Sequence, residues 1–399
     1  MNLKENLFVY PDISINPTTH FDYLIAGGGM AGLSLAYYLS QSNVLNNKKI
    51  LILDKEQKTY NDRTWCFWER GEQNPFEKII YRKWQKLDFF GDDFFKRFHL
   101  NSYFYKMIRG ADFYHYIWNQ LTDHPNITFI QQDILAINTT DKGAIVQTPD
   151  ASFTAAYIFD STFQPDFTKR GNHFLLQHFK GWVITTPTPH FDESCATLHD
   201  FRINQHGDAA RFFYILPFSK TKALIEFTIF SSQILTDEQY TVELKKYLKD
   251  TLGLDAYTIE EEEFGIIPMS DSKITTQINN TIIRIGTSGG YVRPATGYTF
   301  ARTQRYLQTI VRNLETGVEP LTKSTHMPSR FHLYDSILLN VLTKKRYSGA
   351  KFFTQLYQHN PIERIFDFLD EQSKFTEELR LMSTVPMATF TKAAIDILF

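Results

Sequence analysis

The sequence has almost no cysteine: Cys66 and Cys195 are the only two among 399 residues. That excludes a disulfide framework, and a chain of this length buries enough surface not to need one. The pair fits a reducing compartment, the cytosol. Cys and His nowhere fall at metal-ligand spacing, so no metal site is expected. Net charge is also nearly absent, −2 from 42 basic and 44 acidic residues, which excludes a general attraction to nucleic acid or to an anionic membrane surface. No uninterrupted apolar run reaches the ~18 residues of a membrane span. Residues 1–20 contain Pro11, Asp12 and Pro17 but no apolar signal-peptide segment, and are expected to form an unstructured leader. Repeats and low-complexity linkers are missing too. A soluble or peripheral protein is expected, and nothing calls for an obligate protein partner.

Aromatic residues are in excess, with 35 Phe and 21 Tyr. Two explanations stand side by side: the base composition of the coding DNA, and a long apolar substrate.

The chain is organised around Phe21–Asp54, which reads as strand, glycine turn, helix, strand and acidic end. Gly27, Gly29 and Gly32 fall on the G-x-G-x-x-G spacing: Gly27 for the tight turn, Gly29 for backbone approach to a pyrophosphate, Gly32 for close helix-on-strand packing. The helix that follows aims its positive end at the phosphates. Lys49–Leu53 supplies the second parallel strand, and Asp54 at its end can accept hydrogen bonds from an adenosine ribose. A tight βα turn without ligand is the alternative.

Beyond this cradle, Asn61–Glu69 puts Arg63, Trp65 and Trp68 near the expected cofactor, unless they are an exposed arginine beside core aromatics. Residues 75–100 read as short strands or loops of a second layer. Arg109, expected among the cofactor-binding residues, opens a helix in which Phe113, Ile117 and Leu121 recur at helical spacing. Ile127–Gln131, Ala144–Thr148 and Ala156–Phe159 read as strands. Asp160, at the end of the last, suits either the cofactor side of an open α/β sheet or an ordinary turn cap.

From Phe174 to Phe230 strand-like runs follow one another without helical period, which predicts a separate antiparallel sheet. Arg211–Ser231 reads as a hairpin with a polar tip at Ser219–Lys222. Glu226 lies inside its second strand between Ile225 and Phe227. Such a residue suits the solvent face; facing inward, desolvation would raise its pKa and make it a general acid. Residues 237–251 carry helical spacing, and Glu260–Glu263 reads as a solvated edge. Thr281–Arg305 is strand, glycine-rich loop and helix, and Gly286, Gly289 and Gly297 let main chain approach a ligand. The helix starting near Tyr298 can set its dipole beside a negative flavin ring. A second glycine loop so far along the chain argues for FAD over a nicotinamide. The last 80 residues show helical stripes, and the terminal AAIDILF suits either packed helix or contact with lipid.

Taken together, IAGGGMAGLSLA, RTWCFW, YKMIRGADFY, QHFKGWVITT, ATLHDFR, FYILPF, ALIEFT, IIPM and GYVRPATGYTFARTQR resemble the lycopene cyclase family over most of the chain, in particular its bacterial beta-cyclases. PATGY is the most specific piece. The resemblance implies an α/β fold with a flavin hydroxylase or glutathione reductase type Rossmann-like FAD domain, discontinuous over 20–165 and 265–315. It further implies an inserted antiparallel substrate sheet over 166–264 and a helical part over 316–399. It implies that linear lycopene is cyclised to β-carotene by way of γ-carotene with no net redox change, needing reduced FAD, with NAD(P)H serving only to reduce it. The family's acid motif maps onto Glu226. Here Phe227 follows where the family commonly has a second acid, so a single acid is expected, with Phe227, Trp65 and Trp68 along the substrate pocket. Gly286 is followed by Thr287, not by the Asp common in wider flavoproteins, an absence that lycopene cyclases share. The implied location is the cytoplasm, with room for contact at the membrane surface. A flavin monooxygenase or prenyl-chain reductase, and a carotenoid carrier without activity, remain the other readings.

Overall fold

Phe21, Leu24, Ile25 and Ala26 are buried in β1 (Thr18–Ala26), Ile25 in one apolar cluster and Leu24 in another, as a strand covered on both faces requires. The computed structural model describes residues 18–398 apart from 73, 142, 168–172, 208 and 322–328. The expected leader falls, up to residue 17, outside the described residues. After β1 come α1 (Met30–Gln41), β2 (Ile50–Asp54), β3 (Thr64–Arg70), β4 (Arg82–Trp84), β5 (Lys86–Phe90), β6 (Phe95–His99), β7 (Tyr103–Arg109) and α2 (Gly110–Leu121). Then follow β8 (Ile127–Gln131), β9 (Ala136–Thr140), β10 (Gly143–Gln147), β11 (Ser152–Asp160), β12 (Phe174–Thr185), β13 (Cys195–Asp200), β14 (Ala210–Pro217) and β15 (Lys222–Ser231). The rest gives α3 (Asp237–Lys246), β16 (Thr258–Ser270), β17 (Ile282–Arg284), α4 (Phe300–Glu315), α5 (Ser329–Thr343), α6 (Gly349–His359), α7 (Ile362–Leu369), α8 (Phe375–Met382) and α9 (Met387–Leu398).

The nucleotide sheet runs β8-β2-β1-β11-β10-β9, with β17 added on β11; β8, β2, β1, β11 and β17 are parallel. Helices α1, α2 and α4 bury Leu33, Ile117 and Leu307 in the cluster on one face of it. The second sheet, β16-β12-β15-β14-β13-β5-β6, is antiparallel except where β13 meets β5. Its hairpin β14–β15 turns at Ser219–Thr221, as the polar tip predicts.

One face of this sheet is sealed by α3, held at its start by a reciprocal Thr236/Gln239 capping box and suited to its dipole by Asp237 and Glu238 at one end and Lys245 and Lys246 at the other. The other face is covered by the C-terminal helices, where Phe353, Leu356, Phe366 and Leu381 pack with Phe89, Phe212 and Phe230. The second sheet also recruits β5 and β6 from residues assigned by sequence to the nucleotide domain, and β16 continues past 264 to Ser270. A third sheet, β3-β7-β4, bridges the two.

Candidate active site

Glu226 sits at the centre of β15, opposite Gly181 on β12 and Tyr214 on β14. Side chains alternate along a strand. Glu226 therefore shares a face with Leu224 and Thr228, while Ile225, Phe227 and Ile229 enter the cluster under α3. Phe227, expected in the substrate pocket, instead stacks on Phe213 with ring centroids 4.9 Å apart. Strand parity makes that correction.

On the other side of β12 lies β16, and its Glu263 is also paired with Gly181. Two carboxyls thus flank one glycine on the same row of the sheet. A Cβ on Gly181 would lie 2.9 Å from Leu224 Cδ1 and 3.1 Å from Glu263 Cγ, so the missing side chain leaves the space between them. The run Glu260–Glu263 was expected to be solvated throughout; Glu260, Glu261 and Glu262 are exposed, and Glu263 is turned inward. Thr228 Oγ1 donates to Glu226 Oε1 at 2.8 Å, and Thr64 Oγ1 donates to Glu263 Oε2 at 2.7 Å.

Both carboxyls are half-buried, and each lines a cleft between the sheet and its neighbours. Burial, then the charge of Glu263 and the hydrogen bond with it, holds the Glu226 carboxyl well above the usual carboxylate range against the opposing pull of Thr228. Burial raises Glu263 as well, but Glu226, Thr64 and Arg63 pull it back. The pair as a whole therefore holds a proton more tightly than an isolated carboxyl does.

Glu226 lines a cavity of about 110 Å³ with Trp65, Tyr105, Phe179, Tyr214, Tyr298 and Phe300. Tyr214, Thr296 and Tyr298 also line an apolar chamber of about 240 Å³, walled by Phe353, Leu356, Tyr357, Leu381, Val385 and Phe390 of the C-terminal part. On the opposite side, Trp65, Phe179, Gly297 and Thr299 are shared with a third cavity of about 420 Å³. That cavity reaches Gly29, Met30 and Ala31 and includes Arg63, Glu263, Gly286 and Thr287.

The third cavity has the features of a dinucleotide cradle. The start of α1 has no side-chain cap and no acid in its first turn, which leaves its N–H groups and positive dipole end free for phosphate. Gly27 turns with φ 98°, and a Cβ on Gly32 would fall 1.9 Å from the Gly27 carbonyl oxygen. Asp54 accepts the Gly28 N–H at 2.5 Å and, through its other oxygen, the Glu56 N–H at 3.1 Å. At the far end α4 also starts without a side-chain cap or an acid, close to Gly286 and Gly297.

Other expected site residues lie elsewhere. The Arg109 guanidinium pairs with Asp112 at 2.7 Å and lies over the Tyr81 ring. Asp160 caps a turn, accepting the N–H groups of Thr162 and Phe163. Trp68 stacks on Phe366 and donates to Asp370, out of the Glu226 cavity. Gly289 lies behind the loop, where a Cβ would meet the Arg284 carbonyl oxygen at 2.4 Å. Sequence reasoning missed Gly181, Thr64, Tyr214, Tyr298 and Glu263. For Glu263 a signal existed: counting back by twos from the inward Met269 and Ile267 gives Gly265 and then Glu263.

The profile of the family described as lycopene cyclase protein matches residues 22–395. Among characterised proteins, a chloroplastic neoxanthin synthase of Solanum tuberosum is 22% identical over 338 residues, 79% of this chain and 64% of that one. A chloroplastic lycopene beta cyclase of Arabidopsis thaliana is 24% identical over 329 residues, 75% of this chain and 61% of that one. The chain thus spans less than two thirds of the length of these relatives. Among solved structures, the halogenase PltM in complex with phloroglucinol and FAD superposes with a TM-score of 0.57 at 14% identity, covering 95% of each chain, which shows a shared fold.

Proposed function

We propose that this chain, which belongs to the lycopene cyclase family, is a lycopene beta-cyclase that converts the linear ends of lycopene to β-ionone rings, giving β-carotene by way of γ-carotene. The observation that carries this reading is the place of Glu226, a carboxyl that burial pushes well above the usual carboxylate range, in the cavity that joins an apolar chamber to a nucleotide cradle.

The chamber behind Tyr214 and Tyr298 takes the polyene and presents its end to Glu226. The Glu226 proton passes to the terminal double bond, whose electron pair forms the new C–H bond and leaves a tertiary carbocation. The neighbouring double bond attacks that centre and closes the six-membered ring; loss of one ring proton restores neutrality. One proton enters and one leaves, so product and substrate have equal mass.

A cation in a dry site needs nearby negative charge or electron-rich faces, and both act more strongly there than in water. The faces of Trp65, Tyr214, Tyr298 and Phe300 are at hand, at about 0.5–2 kcal/mol each. The same walls keep water from quenching the cation.

Gly29, Met30 and Ala31 at the start of α1, with Gly286, Thr287 and Gly297, would hold FAD, and Asp54, which already accepts the Gly28 and Glu56 N–H groups, would take its ribose on the remaining lone pairs. Reduced FAD, when bound, supplies an anionic, electron-rich ring; NAD(P)H is the proposed reductant. The FAD in the halogenase of the same fold supports this choice.

No helix among the described residues is long and apolar enough to cross a membrane. Leu381 and Met387 of α8 and α9 line the apolar chamber, while Phe375, Leu379, Ile395 and Leu398 of the same helices are exposed. We place this end against the cytoplasmic membrane surface, where it can draw lycopene from the bilayer.

The decisive experiment expresses Glu226→Gln in lycopene-accumulating bacteria. The variant should bind FAD and leave lycopene unconverted. Undiminished β-carotene would rule Glu226 out as the acid, and a product of altered mass from the parent protein would point to a monooxygenase or reductase.

A further inference from the structure

The family resemblance leads one to expect a second acid directly after Glu226, and Phe227 fills that position with its ring on the opposite face of the sheet. The fold supplies a carboxyl by another route. Glu263 comes from β16, separated from β15 by β12, and reaches the same row because Gly181 puts no side chain between them. Its Oε1 lies 3.4 Å from where a Gly181 Cβ would stand and is buried, and the carboxyl that the Glu263 side chain meets there is Glu226, with which it hydrogen-bonds. The Glu263 Oε2 is occupied by Thr64. Within the acid site, Glu263 also borders the nucleotide cavity, whereas Glu226 borders the aromatic one.

We infer that Glu263 is the positioning carboxylate of the site: it shares a single proton with Glu226 across Gly181, keeps that proton on Glu226, and holds the acid aimed at the substrate chamber. This rests on the cyclase reading only for its link to turnover; the shared proton stands or falls independently. Glu263 acts through Glu226. Like charges this close in a low-dielectric site cannot both form, so one member of the pair stays protonated.

The other groups around Glu226 do not compete for that role. Cys66 from β3, Tyr105 from β7 and Tyr214 from β14 are all pushed upward by burial, and Tyr298 from the loop before α4 is pushed up to about 12, so each stays neutral around pH 7. Arg63 and Glu261 act on Glu263 with opposite signs, and Thr228 and Thr64 do not titrate.

The test is the pH profile of kcat for the FAD-loaded enzyme with lycopene in detergent micelles. Protonated Glu226 is the active form, so activity is lost as pH rises through its pKa. Glu263→Gln removes the charge that holds that pKa up, and should move the alkaline limb to lower pH by about one unit or more, a tenfold loss at a fixed pH on the limb. Glu263→Asp, which keeps the charge, should return the limb toward wild type. Glu262→Gln on the exposed side of the strand should leave it in place. A fall by one constant factor at every pH, or an unmoved limb, would overturn the inference.

A measurement without turnover guards against misfolded variants. The infrared carbonyl stretch of a protonated carboxyl should be present in the wild-type protein at neutral pH, disappear in Glu226→Gln, and titrate at lower pH in Glu263→Gln or in Gly181→Ala, whose methyl would push Glu263 away from Glu226. A wild-type protein without that band at neutral pH contradicts a shared proton, whether or not the protein cyclises lycopene.

Discussion

Replacing Arg293 by alanine removes the clamp that ties the loop between β17 and α4 to the C-terminal helices. The buried guanidinium donates through Nε to both Asp335 oxygens at 3.2 Å, through Nη2 to Oδ1 at 3.1 Å, and through Nη1 to the carbonyls of Phe368 at 2.9 Å and Leu369 at 2.5 Å. Alanine strands a buried carboxylate and takes a donor from the Leu369 carbonyl, while the Phe368 carbonyl keeps the Glu371 N–H at 3.1 Å. Removing one partner of a buried pair typically costs about 3–5 kcal/mol. The penalty carries a pH signature. Burial already raises the Asp335 carboxyl, with Arg293 and then Arg302 pulling it back, so without Arg293 it rises further. A carboxyl whose folded pKa lies above its unfolded value contributes stability below the unfolded value and loses it as pH rises through the folded one.

The variant should therefore be closest to wild type in acid and furthest from it in mild alkali. Urea unfolding of both proteins near pH 5 and near pH 8 would measure the difference at each. A loss under about 1 kcal/mol, or one equal at the two pH values, would refute the argument. Because Ala295, Thr296 and Tyr298 of the same loop line the apolar chamber, the proposed conversion of lycopene should fall with the clamp.

Two further outcomes are expected. His199 is packed among Phe201, Phe212 and Phe353 with Nδ1 unpaired, and burial pushes its pKa down to about 3. It stays neutral in the fold and takes a proton on unfolding, so stability falls as pH drops from about 6.5 toward 3. His199→Phe should flatten the urea-unfolding slope in that window, leaving the part due to His178, whose pKa is pushed down to about 4; equal slopes would contradict this. Separately, the FAD-loaded protein should co-sediment with phospholipid vesicles, and Phe375→Ser with Leu379→Ser should weaken that binding. Sedimentation equal to that of the parent would remove α8 as the contact.

Residues 21–54 show what local pattern alone can specify. Buried apolar runs, glycines at fixed offsets and a terminal acid act through neighbouring backbone, and β1, α1 and β2 form where the spacing predicts. The hairpin tip at Ser219–Lys222 was legible for the same reason. Asp160 was not, because one strand-end acid serves a turn or a ligand equally, and its contacts are those of a turn. Trp65 and Trp68 stand three residues apart on one strand, hence on opposite faces: Trp65 packs with Phe300 beside the acid cavity, Trp68 on Phe366 away from it.

The inward face of Glu226 could not be read from β15 either. Residues on both sides of that strand are apolar, since α3 covers one face and the C-terminal helices cover the other, so alternation gives no contrast. The sequence by itself determined a nucleotide-binding cradle, a second glycine loop, an antiparallel sheet and a lone acid inside one of its strands. Only the tertiary structure decided that this acid faces a chamber, that Phe227 does not, and that Glu263 comes to meet it. Periodicity reports each strand's own two faces, whereas the meeting of two carboxyls over Gly181 depends on β12 lying between β15 and β16, which only long-range pairing fixes.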